Sequence, residues 1–130
     1  NLALARELSQ RGAVLSEQPP HAHPTVARLM ARNRIQSALS RAVLVVEARG
    51  RGGALETARR AREQGRDVFA MHWPCPREET VGTDKLLRNG ALAVTGPEDA
   101  PSIRLRLVDH LARMERCRRA EGSQMSLFAE

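Results

Sequence analysis

The sequence predicts an α/β protein, a Rossmann-like three-layer fold with a parallel sheet, followed by a C-terminal amphipathic helix. Three observations carry this. Segments with helical apolar spacing alternate with short β-branched runs from Leu2 to Gly96. The run AVLVVEA, Ala42 to Ala48, is nearly continuous in apolar residues and flanked by Arg41 and Arg49, which suits a central strand covered on both faces. The joining loops are short and marked by glycine or proline, as in sheets whose parallel strands are linked by helices. With 130 residues, 42% of them apolar, the chain has material for one small core.

The elements follow in order. NLALARELSQRG places Leu2, Ala5 and Leu8 on one helical face and stops at Gly12. AVLSE, Ala13 to Glu17, reads as a short buried strand, and EQPPHAHP as a loop because of its prolines. VARLMARNRIQSALS, from Val26, is a helix by the spacing of Val26, Leu29, Met30, Asn33, Ala38 and Leu39. After the AVLVVEA strand, a helix starts at about Gly53 and is stopped by Gly65, and RDVFAM forms another strand. MHWPCPREETV is a loop, TDKLLRNG a short helix with Thr83 or Asp84 as N-cap, and ALAVTG a fourth strand. PSIRLRLVDHLARMERCRRA, opened by Pro101, aligns Ile103, Leu107, Leu111 and Met114 on one stripe, to pack on the sheet or on a second subunit, with arginines opposite.

Charge narrows the function. The formal net charge is +6, and twenty Arg accompany a single Lys, Lys85. Between Arg28 and Arg66 ten Arg face only Glu47, Glu56 and Glu63, a local excess of +7 by subtraction. An excess of this kind favours a polyanion, because each neutralised phosphate releases condensed counterions. The same arginine and alanine bias is also what a GC-rich genome produces, so composition alone leaves the partner open. Cys75 and Cys117 lie far apart without ligand spacing, and His21, His23, His72 and His110 share no common spacing. Free thiols, no metal and no cofactor are expected. No run reaches the roughly 18 to 20 apolar residues of a membrane span, and the N-terminus lacks a secretory pattern, so a cytoplasmic location is expected.

In open parallel sheets, ligands bind beyond the carboxyl ends of the strands. The loop Glu47 to Gly53 leaves the carboxyl end of the AVLVVEA strand, and its glycines let backbone amides approach a phosphate at a helix N-terminus. Gly82, Thr83 and Lys85 set a glycine, a hydroxyl and the single Lys at a second strand-to-helix passage.

Four blocks, GAVLSEQPP (12–20), RNRIQSALSRAVLVVEA (32–48), GGALETARRAREQGRDVFA (52–70) and GTDKLLRNGALAV (82–94), resemble in order and spacing the DNA-processing family DprA, also called Smf. The resemblance covers about Asn1 to Val94. It implies a Rossmann-like domain that binds single-stranded DNA in a basic pocket, forms homodimers and hands the strand to a RecA-type recombinase during natural transformation, without catalysis. Arg32, Asn33 and Arg34 match the family's Arg-Asn-Arg triplet. Gly53 and Thr57 match its Ser-Gly-x-x-x-Thr-Ala block, with Gly52 in place of the serine, and Gly82 and Gly90 match its Gly-x-x-x-Leu-x-x-x-Gly-Ala block. The DNA or phosphate-binding set expected is therefore Arg32, Asn33, Arg34, Gly52, Gly53, Thr57, Gly82, Thr83 and Lys85.

The chain departs from the family in several places. Leu29 stands where a Phe is usual, removing a stacking platform worth about 1 to 3 kcal/mol per base. MHWPCP replaces the usual Pro-Gly, and Trp73 supplies either packing or a substitute aromatic. The family's Gly-Ser-Arg phosphate element and Gly-x-Asp-x-x-Ala-His segment have no match, so half of the sheet is missing; the chain reads as a fragment of a longer protein or as a half-domain that must dimerise. The expected division is a partial DprA-like domain (1–96), a C-terminal helix (97–120) and a flexible tail (121–130).

The rival reading is an enzyme. Nucleoside-monophosphate phosphoribohydrolases of the LOG type carry Pro-Gly-Gly-x-Gly-Thr-x-x-Glu, superficially similar to RGRGGALETARRA. Here Leu55 and Glu56 occupy the required Gly and Thr positions, and Arg59 the catalytic Glu. Finally, Gln124, Leu127 and Phe128 in QMSLF resemble the peptide by which bacterial proteins dock on the sliding clamp, with two apolar anchors and a glutamine that fixes register. Docking of the tail on its own domain is the alternative.

Overall fold

The computed structural model describes residues 1–126, with side chains through Arg116 except Met114. The chain divides into two compact units, Asn1–Arg32 and Asn33–Glu130, with the boundary inside a helix.

In the first unit, α1 spans Leu2–Arg11 and buries none of its residues. The strand expected at Ala13 to Glu17 does not form. Val14 and Leu15 remain 61% and 66% exposed. A strand needs a hydrogen-bonded neighbour, and here the chain turns instead: the Ser16 hydroxyl donates to the Gln18 carbonyl (2.8 Å) and accepts from the Gln18 amide (3.0 Å). Pro19 and Pro20 then offer no N–H for a ladder. The helix α2, Val26–Leu39, starts after Thr25, whose hydroxyl accepts the Arg28 amide at 3.3 Å.

The second unit contains β1 (Ala42–Val45), α3 (Gly53–Glu63), β2 (Asp67–Met71), α4 (Val81–Arg88), β3 (Leu92–Val94) and α5 (Ala100–Ser126), with short 3-10 turns at Glu78–Thr80 and Pro97–Asp99. The strands form one parallel sheet in the order β1-β2-β3. Three of the four expected strands are thus present among the described residues. β2, not β1, is central, because the missing first strand leaves β1 at an edge. β1 also ends three residues short of Ala48, and the Val46 carbonyl accepts the Trp73 indole N–H (2.8 Å) in place of a ladder amide.

Two successive parallel crossovers in one direction, each right-handed, put α3 and α4 on the same face of the sheet. There Val43 and Val45 of β1 and Val68 and Ala70 of β2 pack with Leu55, Ala58 and Ala61 of α3 and Leu86 of α4. Ala58 and Ala61 are small enough to bring α3 close to the strands. The register row Leu44, Phe69, Leu92 lies on the opposite face; its centre, Phe69, is 3% exposed, whereas Leu44 at the edge is 48% exposed. α5 half-buries the expected stripe Ile103, Leu107 and Leu111, along with His110, whose ring lies 3.5 Å from the Arg66 guanidinium. The side chain of Met114 lies outside the described residues.

Gly65 ends α3 in the left-handed region (φ 69°), with the Arg66 amide returning to the Ala61 carbonyl at 2.8 Å, as the sequence leads one to expect. The start of α4 differs: the helix begins at Val81, before Thr83. Thr80 exchanges hydrogen bonds with the backbone of Arg77 (both 3.0 Å), so the 3-10 turn feeds directly into the helix. α5 likewise runs past the expected end at 120, through Gly122, Ser123 and Gln124. The roughly 1 kcal/mol cost of a helical glycine is small beside the good helix formers Ala120, Glu121, Gln124 and Met125. Leu127 and Phe128 lie outside the described residues.

Candidate functional site

The carboxyl end of β1 opens into the loop Val46–Gly52, which delivers the chain to α3. Gly52 takes φ 141° and ψ −179°, a region reserved for glycine, and no atom lies within 4 Å of where a side chain would start. A glycine N-cap contributes no side-chain oxygen, so the first amides of α3 keep their partial positive charge facing outward. Arg51, Gly52, Gly53 and Ala54 are all exposed around this end. Arg51 has no carboxylate partner among the described residues.

α2 is tied to the same place. Asn33 is 5% exposed, and its side-chain amide donates to the Gly53 carbonyl at 3.4 Å. Ser37, one turn on and fully buried, donates to the Asn33 and Arg34 carbonyls (3.2 and 3.1 Å). The inward Asn33 of the triplet therefore anchors a helix beside the first turn of α3, while Arg32 and Arg34, about 100° to either side, are exposed. Gln64 at the far end of α3 also donates to the Arg34 carbonyl, at 2.9 Å. Thr57 donates its hydroxyl to the Gly53 carbonyl at 2.8 Å, stiffening the first turn of α3.

The second passage has a different character. The Gly82 amide donates to the Ala48 carbonyl at 2.6 Å, and a methyl group on Gly82 would meet the Arg49 and Ala48 carbonyl oxygens at 2.4 and 2.6 Å. Gly82 is thus a close-approach residue that docks α4 against the end of β1. The Thr83 side chain is fully buried, and its hydroxyl donates to the Thr80 carbonyl at 2.8 Å, which leaves it no exposed atom to offer a phosphate. Of this trio only Lys85 is exposed.

Ion pairs redistribute the basic excess. Glu56 accepts from Arg59 (2.6 and 2.9 Å) and from Arg60 (2.8 Å), and Glu63 pairs with Arg59 as well. Hydrogen bonding from Arg59, and then from Arg60, holds the Glu56 carboxyl well below its usual range, at about 2. These two arginines serve the flank of α3 and not its N-terminus. Arg49 lies 3.9 and 3.7 Å from Glu78 and Glu79, and Arg77 lies 3.1 Å from Glu47. At the exit of β3 the sign reverses, since Asp99 accepts the Thr95 amide (2.6 Å) and hydroxyl (2.9 Å) and its carboxyl is lowered by those bonds. Of the three arginines at the β1 exit, Arg49 and Arg77 are thus paired with carboxylates, and Arg51 is the one without such a partner among the described residues.

Sequence reasoning left Trp73 open between packing and platform and passed over its partner. The Arg77 guanidinium sits 5.1 Å from the Trp73 ring centroid. Spacing of four residues across a proline-bounded loop was the available signal. No group of three or more His, Cys, Asp or Glu side chains that could hold a metal ion occurs among the described residues, and Cys75 is a free, exposed thiol.

Comparison with known proteins bears on the family and the fold. The chain is 48% identical over 92 residues to the protein Smf of Escherichia coli, which covers 71% of the chain and 25% of Smf. It is 34% identical over 128 residues to a DNA processing protein DprA of Mycobacterium tuberculosis, covering 98% of the chain and 32% of that protein. The likeness therefore continues past Val94 into α5. The chain spans about a quarter to a third of the length of these relatives. Its fold superposes on DNA processing protein A from Helicobacter pylori, whose structure concerns a single-stranded DNA binding mode, with TM-score 0.65 and 29% identity over 78% of the chain and 46% of that protein. The family model for DNA recombination-mediator protein A matches residues 1–103, and the chain belongs to that family, DprA/Smf.

Proposed function

We propose that this chain binds single-stranded DNA through its phosphates, as the carboxyl-terminal part of a DprA-type Rossmann-like domain acting in DNA processing and recombination. The observation that carries the reading is the open N-terminus of α3, where Gly52 leaves backbone amides unobstructed beside the exposed Arg51 and where Asn33 fixes the helix that bears Arg34. Helix amides and arginines read phosphate oxygens and not base edges, so binding is tolerant of sequence and sensitive to salt. In this reading Arg32, Arg34, Arg51, Gly52, Gly53 and Lys85 face the strand, while Asn33, Thr57, Gly82 and Thr83 hold them in place.

The proposal extends to partners: a homodimer, transfer of the bound strand to a RecA-type recombinase in natural transformation, and docking of Gln124, Leu127 and Phe128 on a sliding clamp. It places the protein in the cytoplasm, and no helix among the described residues is long and apolar enough to cross a membrane. A LOG-type hydrolysis needs a carboxylate ready to exchange a proton. Glu56, the acid on the first turns of α3, is held ionised by two arginines and is unsuited to that role. Fluorescence anisotropy of a labelled oligonucleotide tests the proposal: saturable binding that weakens steeply with salt is expected, and absence of binding at low salt in a folded sample would refute it.

A further inference from the structure

We infer that Trp73 and Arg77 form a stacking subsite for one nucleobase at the carboxyl edge of the sheet. The inference rests on the single-stranded DNA reading and adds to it a contact with a base.

Trp73 does not belong to the apolar core or to the residues packed against it. It is a partly exposed loop residue whose ring is held from two sides. Its indole N–H donates to the Val46 carbonyl at 2.8 Å, which fixes the ring over the end of β1. Arg77 lies 5.1 Å from the ring centroid and is itself anchored, by Glu47 at 3.1 Å and by the reciprocal backbone bonds with the buried Thr80. Pro74 and Pro76 stiffen the intervening chain. Both anchors, Val46 and Glu47, belong to the loop that ends in Gly52 and opens α3, so the stack stands at the exit where the phosphate-binding groups lie.

An indole and a guanidinium stacked on each other present flat, polarisable surfaces that accept any base, and fixing both in advance removes the ordering cost of binding. The site also supplies an aromatic to a chain that has Leu29 on α2 and only two Phe and no Tyr in all. A phosphate at the α3 N-terminus and a base on the Trp73–Arg77 pair are the two kinds of group that a single strand offers.

Trp73 is the single Trp of the chain, so intrinsic fluorescence reports on this site alone. The experiment compares an oligothymidylate with an abasic oligomer of equal length, which keeps the phosphates and lacks the bases. Quenching of the Trp73 emission by the oligothymidylate only is expected, with its affinity exceeding that of the abasic strand by about 5- to 150-fold, the equivalent of about 1 to 3 kcal/mol. Trp73→Ala should remove most of that preference, and Trp73→Phe, which keeps a ring without the Val46 hydrogen bond, should retain a large part of it. Unchanged emission on binding, with equal affinity for the two strands, would overturn the stacking subsite and leave phosphate binding standing. Failure of either oligomer to bind would remove the underlying reading and the inference with it.

Discussion

Substitution of Gly82 by Ala separates packing from ligand contact. A Cβ at this position would lie 2.4 Å from the Arg49 carbonyl oxygen, 2.6 Å from that of Ala48 and 2.8 Å from the Ala48 Cβ. Two of these atoms are backbone at the end of β1 and cannot swing aside, so α4 must move outward. Overpacking of this kind costs about 1 to 3 kcal/mol, and loss of the 2.6 Å Gly82–Ala48 hydrogen bond adds about 1 kcal/mol. For a domain of this size about 3 to 4 °C accompanies each kcal/mol, so Gly82→Ala should lower the melting temperature by roughly 6 to 16 °C. Gly53→Ala is the internal control: its Cβ would sit 3.6 Å from the Asn33 amide, an ordinary contact, and should change stability by no more than about 1 kcal/mol. Differential scanning fluorimetry read beside DNA anisotropy decides the matter. A Gly82→Ala protein that melts within about 2 °C of the parent yet loses DNA affinity would refute the packing argument and return Gly82 to the phosphate site.

Three further outcomes are expected. Arg34→Ala and Arg51→Ala should each weaken DNA binding and reduce the log–log salt slope by about 0.7, whereas Arg59→Ala, whose charge is committed to Glu56 and Glu63, should leave both nearly unchanged in an anisotropy titration. Glu56 has its pKa lowered from 4.5 to about 2 by Arg59 and Arg60; its contribution is present in full above pH 4.5 and is lost as pH falls towards 2, and because Arg59 is half exposed it amounts to about 1 kcal/mol. Glu56→Gln should therefore flatten denaturant-measured stability across that window while lowering it at neutral pH. Joint Leu127→Ala and Phe128→Ala substitution should abolish sliding-clamp pull-down and leave DNA affinity intact; a melting temperature lowered by a few degrees, with pull-down unaffected, would favour a tail that docks on its own domain.

Features encoded within one segment were legible in the sequence. The α3 pattern, its opening glycines and its stop at Gly65 depend on local spacing and backbone freedom, and they appear where expected. Pairing between segments was not legible. AVLSE has the composition of a strand, yet Ser16 and the following prolines draw it into a turn, and with it the centre of the sheet shifts from β1 to β2. Burial of small polar residues was equally hidden: Asn33 and Thr83 look like ligand groups in a motif, but both are buried and each donates to a backbone carbonyl. The Glu56-x-x-Arg59-Arg60-x-x-Glu63 spacing, by contrast, was readable as helical ion pairs, and weighing it would have moved the positive charge from the flank of α3 to its N-terminus.

The most direct test of the central claim is the salt dependence of single-stranded DNA affinity, measured by anisotropy on the folded chain with an oligothymidylate. Contacts from Arg32, Arg34, Arg51 and Lys85 to about four phosphates predict a fall of log affinity against log salt with a slope of roughly −3, and similar affinity for a mixed-sequence strand. A slope near zero, or no binding at low salt, would contradict a phosphate-reading edge at the N-terminus of α3.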